Sequence, residues 1–228
     1  MKTLTLSRLA ALAGCLLIIS GAQAQQTSVD GAPTGGQDDF GLLGKTYFAV
    51  DADLIEYRNF PSSPTGYGSE IAINLEANDD LDVGLAYDFS HAKNTELRTT
   101  DNIGRLYTTG FVRLPHVTPY ATVGLAYGWK HSQLGAGIAA VSTRFHRALY
   151  NAGAGVEVPL VTQTSVRLGI DFEESFRKPQ PKDWSYQLAL DYHFDDTLCT
   201  DIGANLQDGR NGNRDSVAYH AGIRFIFD

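Results

Sequence analysis

The stretch that decides the fold is 216-SVAYHAGIRFIFD-228, in which every second residue from Val217 to Phe227 is apolar. His220 and Arg224 lie between these positions, so the pattern predicts a strand with one apolar face and one polar face. Two kinds of protein contain such strands. In a soluble sandwich the apolar face is the core, whereas in a transmembrane barrel it faces lipid. The rest of the chain has to distinguish them.

The same alternation recurs, without a competing helical periodicity, in ten segments: 45–57, 67–77, 81–91, 104–114, 118–130, 145–158, 164–175, 184–194, 198–206 and 216–227. Each has roughly 9 to 13 residues, which is long for a globular strand and suits a strand that crosses a bilayer at a tilt. The sequence therefore predicts an all-β fold, a closed antiparallel up-and-down transmembrane β-barrel of ten strands, with eight as the alternative.

The connections between these segments alternate in length. Four are short, at 78–80, 115–117, 160–163 and 195–197, and five longer ones surround Ser63, Asn94, Gly137, Gln180 and Asn211. Outer-membrane barrels have short periplasmic turns and longer extracellular loops. Ten strands with both ends in the periplasm require this count and order, so we expect the longer connections outside the cell.

The N-terminal residues have the features of a secretory signal peptide. A basic start and an apolar run precede small residues at 22–24, which predicts cleavage between Ala24 and Gln25. The run also contains a lipoprotein-like box at Cys15, which would make that cysteine a lipidated N-terminus, although the apolar run continues past it. We expect a signal peptide over 1–24, a flexible periplasmic leader over 25–43 and an outer-membrane β-barrel over 44–228.

Composition argues against several classes of site. Removal of the signal peptide leaves 16 basic against 26 acidic residues, a net charge of −10, which argues against nucleic-acid binding. It leaves Cys199 as the one cysteine, which alternates with apolar neighbours and is expected to point inward as a buried, inert thiol. No Cys/His spacing indicates a metal site, and no cofactor is expected.

Aromatic residues on the apolar face gather towards the ends of the segments. If the first segment runs outward, the outer rim carries Tyr87, Phe89, Tyr127, Trp129, Phe172, Phe176, Trp184, Tyr186 and Tyr219, and the periplasmic rim carries Phe48, Tyr192, Phe194, Phe225 and Phe227. Aliphatic residues fill the middle, and two aromatic girdles around an aliphatic band are typical of a membrane interface. The apolar face is therefore predicted to face lipid in the cell outer membrane.

Three stretches resemble a known group of proteins. The segments 118-TPYATVGLAYG-128 and 151-NAGAGVEVPL-160, with a last alternating strand ending in Phe227, resemble the small outer-membrane β-barrels of Gram-negative bacteria, the OmpA-type or porin-family group. The tail 208–227 is also similar to that of YfaZ-type barrels. The resemblance implies architecture and is unspecific about activity. Two features depart from it, because well-known members have eight strands and usually end on Phe, whereas Asp228 follows here.

The polar residues that alternate with the apolar ones form a predicted lumen network. It comprises Asp51, Asp53, Glu70, Glu76, Asp82, Asp88, Glu157, Asp171, Glu173, Asp191 and Asp201 as acids, Arg105, Arg113, Lys130, Arg147, Arg167 and Arg224 as bases, and His193. Charges removed from water need partners, so ion pairs that fill a narrow lumen are expected. An ion path or a ligand pocket is the functional alternative.

Two constellations offer an enzymatic alternative. The pairs Asp51-x-Asp53 and Asp191-x-His193 resemble those with which the ten-stranded omptin proteases activate a water molecule. Here, however, His193 lies towards the periplasmic end, whereas omptin chemistry takes place at the outer mouth. His91 and His131, each beside a serine near the outer rim, indicate a lipid hydrolase in the same way, without a surrounding motif.

The function expected from the sequence is that of a non-enzymatic integral outer-membrane protein with a structural, porin-like or surface-interaction role. The alternatives are a narrow small-solute channel and a rim-located enzyme. Expected partners are membrane lipid, lipopolysaccharide and, through the C-terminal strand, the outer-membrane assembly machinery. We expect a monomer that conducts poorly, because ten strands lie close to the size at which side chains fill a barrel.

Overall fold

The computed structural model describes residues 41–58, 65–94, 97–134, 141–161, 163–177, 182–210 and 215–227. Within these ranges the chain forms ten strands: β1 Thr46–Tyr57, β2 Thr65–Asn78, β3 Leu81–Lys93, β4 Leu97–Phe111, β5 Thr118–Leu134, β6 Val141–Val161, β7 Thr164–Ser175, β8 Lys182–His193, β9 Leu198–Arg210 and β10 Ser216–Phe227. The predicted signal peptide, and the predicted leader up to residue 40, lie outside the described residues.

Each strand pairs antiparallel with the next, and β1 pairs with β10, so the sheet closes on itself. The closing register runs from Thr46 opposite Phe227 to Tyr57 opposite Ser216. The predicted ten-stranded, up-and-down barrel is thus confirmed, and the eight-stranded alternative is wrong. In the part of the chain that the structure describes, no helix is long and apolar enough to span a membrane.

The barrel has two distinct ends. We call the end with the short connections between consecutive strands the turn end, and the opposite one the loop end. At the turn end, one carboxylate oxygen of Asp195 accepts hydrogen bonds from the backbone N–H groups of Thr197 and Leu198 and from the Thr197 hydroxyl, each at 2.8 Å. These bonds lower the pKa of the exposed Asp195 carboxyl and fix the β8–β9 turn.

Several strands extend further towards the loop end than the sequence predicts. β4 begins at residue 97 instead of 104, β5 ends at residue 134 instead of 130, and β6 begins at residue 141 instead of 145. The added residues remain paired, as in the contact of Leu97 with Leu134. The apolar alternation ends there because those strand ends extend beyond the apolar band of the wall. Their outward residues are no longer apolar, so the sequence lacks a period-2 apolar pattern although the residues are paired.

The wall exposes its apolar residues and buries its polar ones. Leu85, Leu125 and Ile202 are each 57% exposed on the outside of the barrel. The side chains of Asp191 and Asp201, by contrast, point inward and are 0% exposed. A soluble sandwich would reverse this arrangement, so the outer surface has the composition expected of a lipid-facing wall.

Candidate functional site

The interior of the barrel is the candidate site. It contains a cavity of about 380 Å³, open to solvent and lined by residues of several strands. Six carboxylates face this cavity, together with two guanidinium groups: Asp51, Asp53, Glu70, Asp82, Asp88, Asp171, Arg167 and Arg224. The inner wall is therefore predominantly acidic.

Arg224 connects three strands at the seam where the barrel closes. Its guanidinium on β10 pairs closely with Asp201 on β9 and lies 3.7 Å from the carboxylate of Asp51 on β1. The imidazole Nε2 of His220, also on β10, is 3.2 Å from the other oxygen of Asp201. All four side chains are largely buried, so the seam is held by charged groups as well as by the backbone ladder.

Arg167 and Asp191 form a two-bonded pair on the neighbouring wall. The Nε and one terminal nitrogen of Arg167 on β7 donate to the two carboxylate oxygens of Asp191 on β8, at 2.9 and 3.0 Å. The Asp191 side chain is 0% exposed. This fork geometry satisfies both carboxylate oxygens, which leaves Asp191 structural instead of reactive.

Arg105 reaches to a strand that is not its neighbour. From β4 it pairs closely with Asp88 on the adjacent β3 and lies 3.6 Å from Glu173 on β7, three strands away. Nearer the loop end, Asp101 on β4 accepts a 2.6 Å hydrogen bond from Arg147 on β6 and lies 3.8 Å from Lys130 on β5. These bridges tie non-adjacent strands together and narrow the lumen.

Residues 41–44 enter the lumen at the turn end, and we call them the entry segment. The two carboxylate oxygens of Glu157 accept the backbone N–H groups of Leu42 and Leu43, at 2.9 and 3.3 Å. Asp82, on the opposite side of the segment, accepts the N–H of Gly44 at 3.0 Å. A short piece of irregular backbone is thus fixed between β3 and β6 by two buried carboxylates.

Apolar packing completes this closure. Leu42 is 2% exposed and packs against Cys199 and Ile226, so the predicted inward, buried position of the thiol is confirmed. Gly44 has a φ of 75°, a region that glycine adopts without strain. A side chain there would also collide with the Arg113 guanidinium, so the turn into β1 requires glycine.

Three sequence-based assignments need correction. Residues 41–43 were predicted to be part of the flexible leader, but the structure fixes them inside the turn end. Arg113 lies beyond the end of β4, exposed, where it donates to the Leu43 carbonyl at 3.3 Å and covers the Phe111 ring, so it is no lumen residue. Glu76 is exposed near the end of β2, because that strand extends past the rim of the lumen.

The entry segment was missed because its signal is weak. The letters 41-GLLG-44 join two apolar residues to two glycines, which does not indicate periodic structure. Alternation predicts that Glu157 and Asp82 point inward, but their partners are backbone N–H groups, which residue identity does not reveal.

The omptin-like pairs are not assembled for catalysis. Asp51 and Asp191 share one register row, joined through Gly222 and Asp201. Asp191 is engaged by Arg167, however, and His193 is 1% exposed, one step nearer the turn end. Asp51 lines the lumen cavity, whereas Asp191 and His193 do not, so the two pairs do not face one common space.

The histidines at the loop end lack the arrangement of a hydrolase. Arg144 donates its Nε–H to Nδ1 of His131 at 3.2 Å, so the proton of a neutral imidazole is on Nε2. That nitrogen is 3.2 Å from the Ser142 hydroxyl and therefore donates to it. A general base must instead accept the serine proton. His91 contacts Thr100 at 3.0 Å, which is likewise no nucleophile–base pair with an orienting carboxylate.

The predicted girdle residues lie on the outer surface. Exposed among them are Tyr87, Tyr127, Trp129, Tyr186, Tyr192, Phe194, Phe225 and Phe227, whereas Phe89 and Trp184 are half-buried. Neighbouring rings are in contact, as in the pairs Tyr87–Trp129 and Phe172–Trp184, with ring centroids 6.2 and 5.0 Å apart. Among the described residues, no group of three or more His, Cys, Asp or Glu side chains is placed to hold a metal ion.

Comparison with known proteins identifies the fold alone. No family profile matches the chain, and no curated protein is similar to it in sequence. The translocator domain of autotransporter NalP from Neisseria meningitidis matches with a TM-score of 0.50 and 7% identity, over 97% of each chain.

Two further solved structures match less closely. Neisserial surface protein A has a TM-score of 0.42 and 12% identity, over 80% of this chain and 97% of its own. The N-terminal β-barrel domain of Pseudomonas aeruginosa OprF has a TM-score of 0.39 and 15% identity, over 80% of this chain and 100% of its own. The match to the NalP translocator domain supports the closed β-barrel fold of this chain and nothing finer.

Proposed function

We propose that this protein is a non-enzymatic, integral outer-membrane β-barrel whose lumen is closed and whose role is structural or surface-directed. One observation carries the proposal: the entry segment is fixed across the turn end by Glu157 and Asp82, while charged bridges span the lumen above it. A protein built for bulk passage would leave this path open.

The location in the cell belongs to the same proposal. A cleaved signal peptide would deliver the chain to the periplasm, and the apolar outer surface would place it in the outer membrane with the turn end inside. We further propose that it is a monomer, surrounded by membrane lipid and lipopolysaccharide, and inserted by the assembly machinery through β10. The aromatic rings near both rims support the bilayer placement.

A narrow cation path is the second candidate. The cavity of about 380 Å³ is faced by six carboxylates and only two guanidinium groups. Fixed negative charge on a low-dielectric wall attracts cations and repels anions. If the lumen conducts at all, it therefore prefers small cations.

Conductance of the refolded barrel in a planar bilayer tests both candidates. We expect the unmutated protein to show small or absent conductance. Removing residues 25–44 together with Arg105→Ala should raise it, because the entry segment and the bridge to β7 are then both lost. The matched control removes residues 25–40 only, which leaves the entry segment and should leave conductance unchanged.

The outcomes separate the candidates. Large, steady openings from the unmutated protein would overturn the closed-lumen proposal and give the channel the lead. Peptide-cleavage and lipid-hydrolysis assays on the same preparation test the non-enzymatic part, and turnover that disappears with His131→Ala or Asp51→Asn would overturn it.

A further inference from the structure

The outer surface of strands β3 to β6 shows a graded series of residues towards the loop end. Cross-strand register places Leu85, Leu106 and Leu125 in one row. The next rows up the wall are Tyr87–Gly104–Tyr127–Ala148, then Phe89–Asn102–Trp129–His146, then His91–Thr100–His131–Arg144, and last Lys93–Arg98–Gln133–Ser142. Aliphatic, aromatic and cationic bands thus follow one another on a single face.

The top of this face concentrates positive charge. Lys93 and Arg98 are direct register partners on neighbouring strands, and both are exposed. Like charges directly opposite each other destabilise a sheet unless an anion neutralises them. Neither forms an ion pair with a residue that the structure describes, and the nearby Asp101 points inward to Arg147. The exposed Arg144 adds a third cation one row below.

An apolar groove lies on the same face below these cations. It has a volume of about 550 Å³, and Leu85, Leu106, Leu125, Tyr127 and Phe176 line it. The groove exists because Gly104 and Ala148 alternate with larger residues along their row. A Cβ atom at Gly104 would have nothing within 4 Å, so the space next to this backbone is open.

We propose that this face binds one phosphorylated lipid of the outer leaflet, with its phosphates on Lys93, Arg98 and Arg144 and an acyl chain in the groove at Gly104. The proposal rests on the proposed outer-membrane location. Charge complementarity supplies the first half of the match, since phosphate forms strong charge-assisted hydrogen bonds with guanidinium and ammonium groups. The continuous apolar groove supplies the second half.

Only an amphiphile can use both halves at once. The row of Gly104 lies six residues below the row of Lys93 and Arg98 along the strands. At roughly 3.3 Å per residue the two rows are about 20 Å apart. Long basic side chains bend towards an interface and shorten that gap. A soluble anion would contact the cations and leave the groove empty, whereas a headgroup joined to an acyl chain reaches both.

The test uses lipid A, a diphosphorylated, multiply acylated lipid, as the probe. The barrel is first refolded in phosphatidylcholine vesicles without lipid A, and a heat-dependent gel shift checks insertion, so that failure here would count against the membrane proposal itself. Titration with lipid A, read by native mass spectrometry in detergent, should show one saturable site. The triple variant Lys93→Ala, Arg98→Ala and Arg144→Ala should weaken binding by roughly tenfold for each cation removed.

The controls address charge and shape separately. Arg58→Ala removes an exposed arginine beside β1 and should leave the affinity unchanged. Gly104→Phe fills the groove without touching the cations and should also abolish tight binding, whereas Ala154→Leu, an outward change lower on β6, should not.

Each result decides the proposal. Equal binding by all variants would overturn it. A loss in the triple variant alone, together with full competition by inorganic pyrophosphate, would show a headgroup-only phosphate site and overturn the acyl-chain half. Loss in both the triple variant and Gly104→Phe, with no competition by pyrophosphate, supports the lipid site.

Discussion

Gly104 and Gly84 lie in neighbouring strands but on opposite faces of the wall. A Cβ at Gly104 would point into open space, whereas a Cβ at Gly84 would collide with the ring of Tyr107 in the lumen. Glycine within a strand costs conformational entropy relative to alanine. The two positions should therefore respond oppositely to the same substitution.

We predict that Gly104→Ala raises the free energy of unfolding by about 0.5–1 kcal/mol, because it removes that entropy cost without a clash. Gly84→Ala should lower it by about 1–3 kcal/mol, because the Tyr107 ring must move. Urea unfolding in phospholipid vesicles measures both. Equal shifts for the two variants would show that the lumen near Tyr107 is looser than described.

At this scale the sequence predicts which way a side chain points but not which residue it contacts. Strict alternation predicts that Asp51, Arg105 and Arg167 point into the lumen. It does not predict the link from Arg105 to Glu173, since that link depends on how ten strands curve into a ring. Arg113 was misplaced for a related reason: its strand ends at Phe111, before the alternation does.

The attachment of the entry segment should contribute measurably to the stability of the barrel. Glu157→Ala leaves the N–H groups of Leu42 and Leu43 without their acceptor inside the barrel. An unsatisfied buried group costs about 1–3 kcal/mol, so we predict a decrease of that size in the free energy of unfolding. Glu76→Ala, which removes an exposed carboxylate at the same end, should have little effect.

Cys199 reports on the same element. It is 0% exposed beneath Leu42, so a small maleimide should react slowly with the folded, unmutated protein. If Glu157→Ala releases the segment, the thiol should react faster while the barrel stays folded. Unchanged reactivity, with the gel shift retained, would mean that apolar packing alone holds Leu42 in place.

The strands themselves were largely predictable, and the exceptions have a common cause. β7 and β10 begin and end where the alternation does, since a lipid face and a lumen face run along their whole length. β4 to β6 continue past the apolar band, where the outward residues are polar or charged. Residues 97–103 therefore pair as a strand without the periodicity of one.

For the whole molecule, we predict that migration on SDS gels depends on heating. A closed sheet has no free edge, so detergent cannot unravel it strand by strand until heat opens the ring. Unboiled samples should migrate as a more compact species, with a β-type circular-dichroism spectrum. Identical migration before and after boiling, with a helical spectrum, would contradict the barrel.

The pairing of β1 with β10 also affects the order in which the strand pairs can form. All other pairs join strands that are consecutive in the sequence, and these can form hairpins as soon as both strands exist. The β1–β10 pair instead joins the two strands that are farthest apart in the sequence. Until β10 has been synthesised, two unpaired edges remain open to other chains. The chain is therefore most exposed to pairing with its neighbours before β10 is available to close the wall.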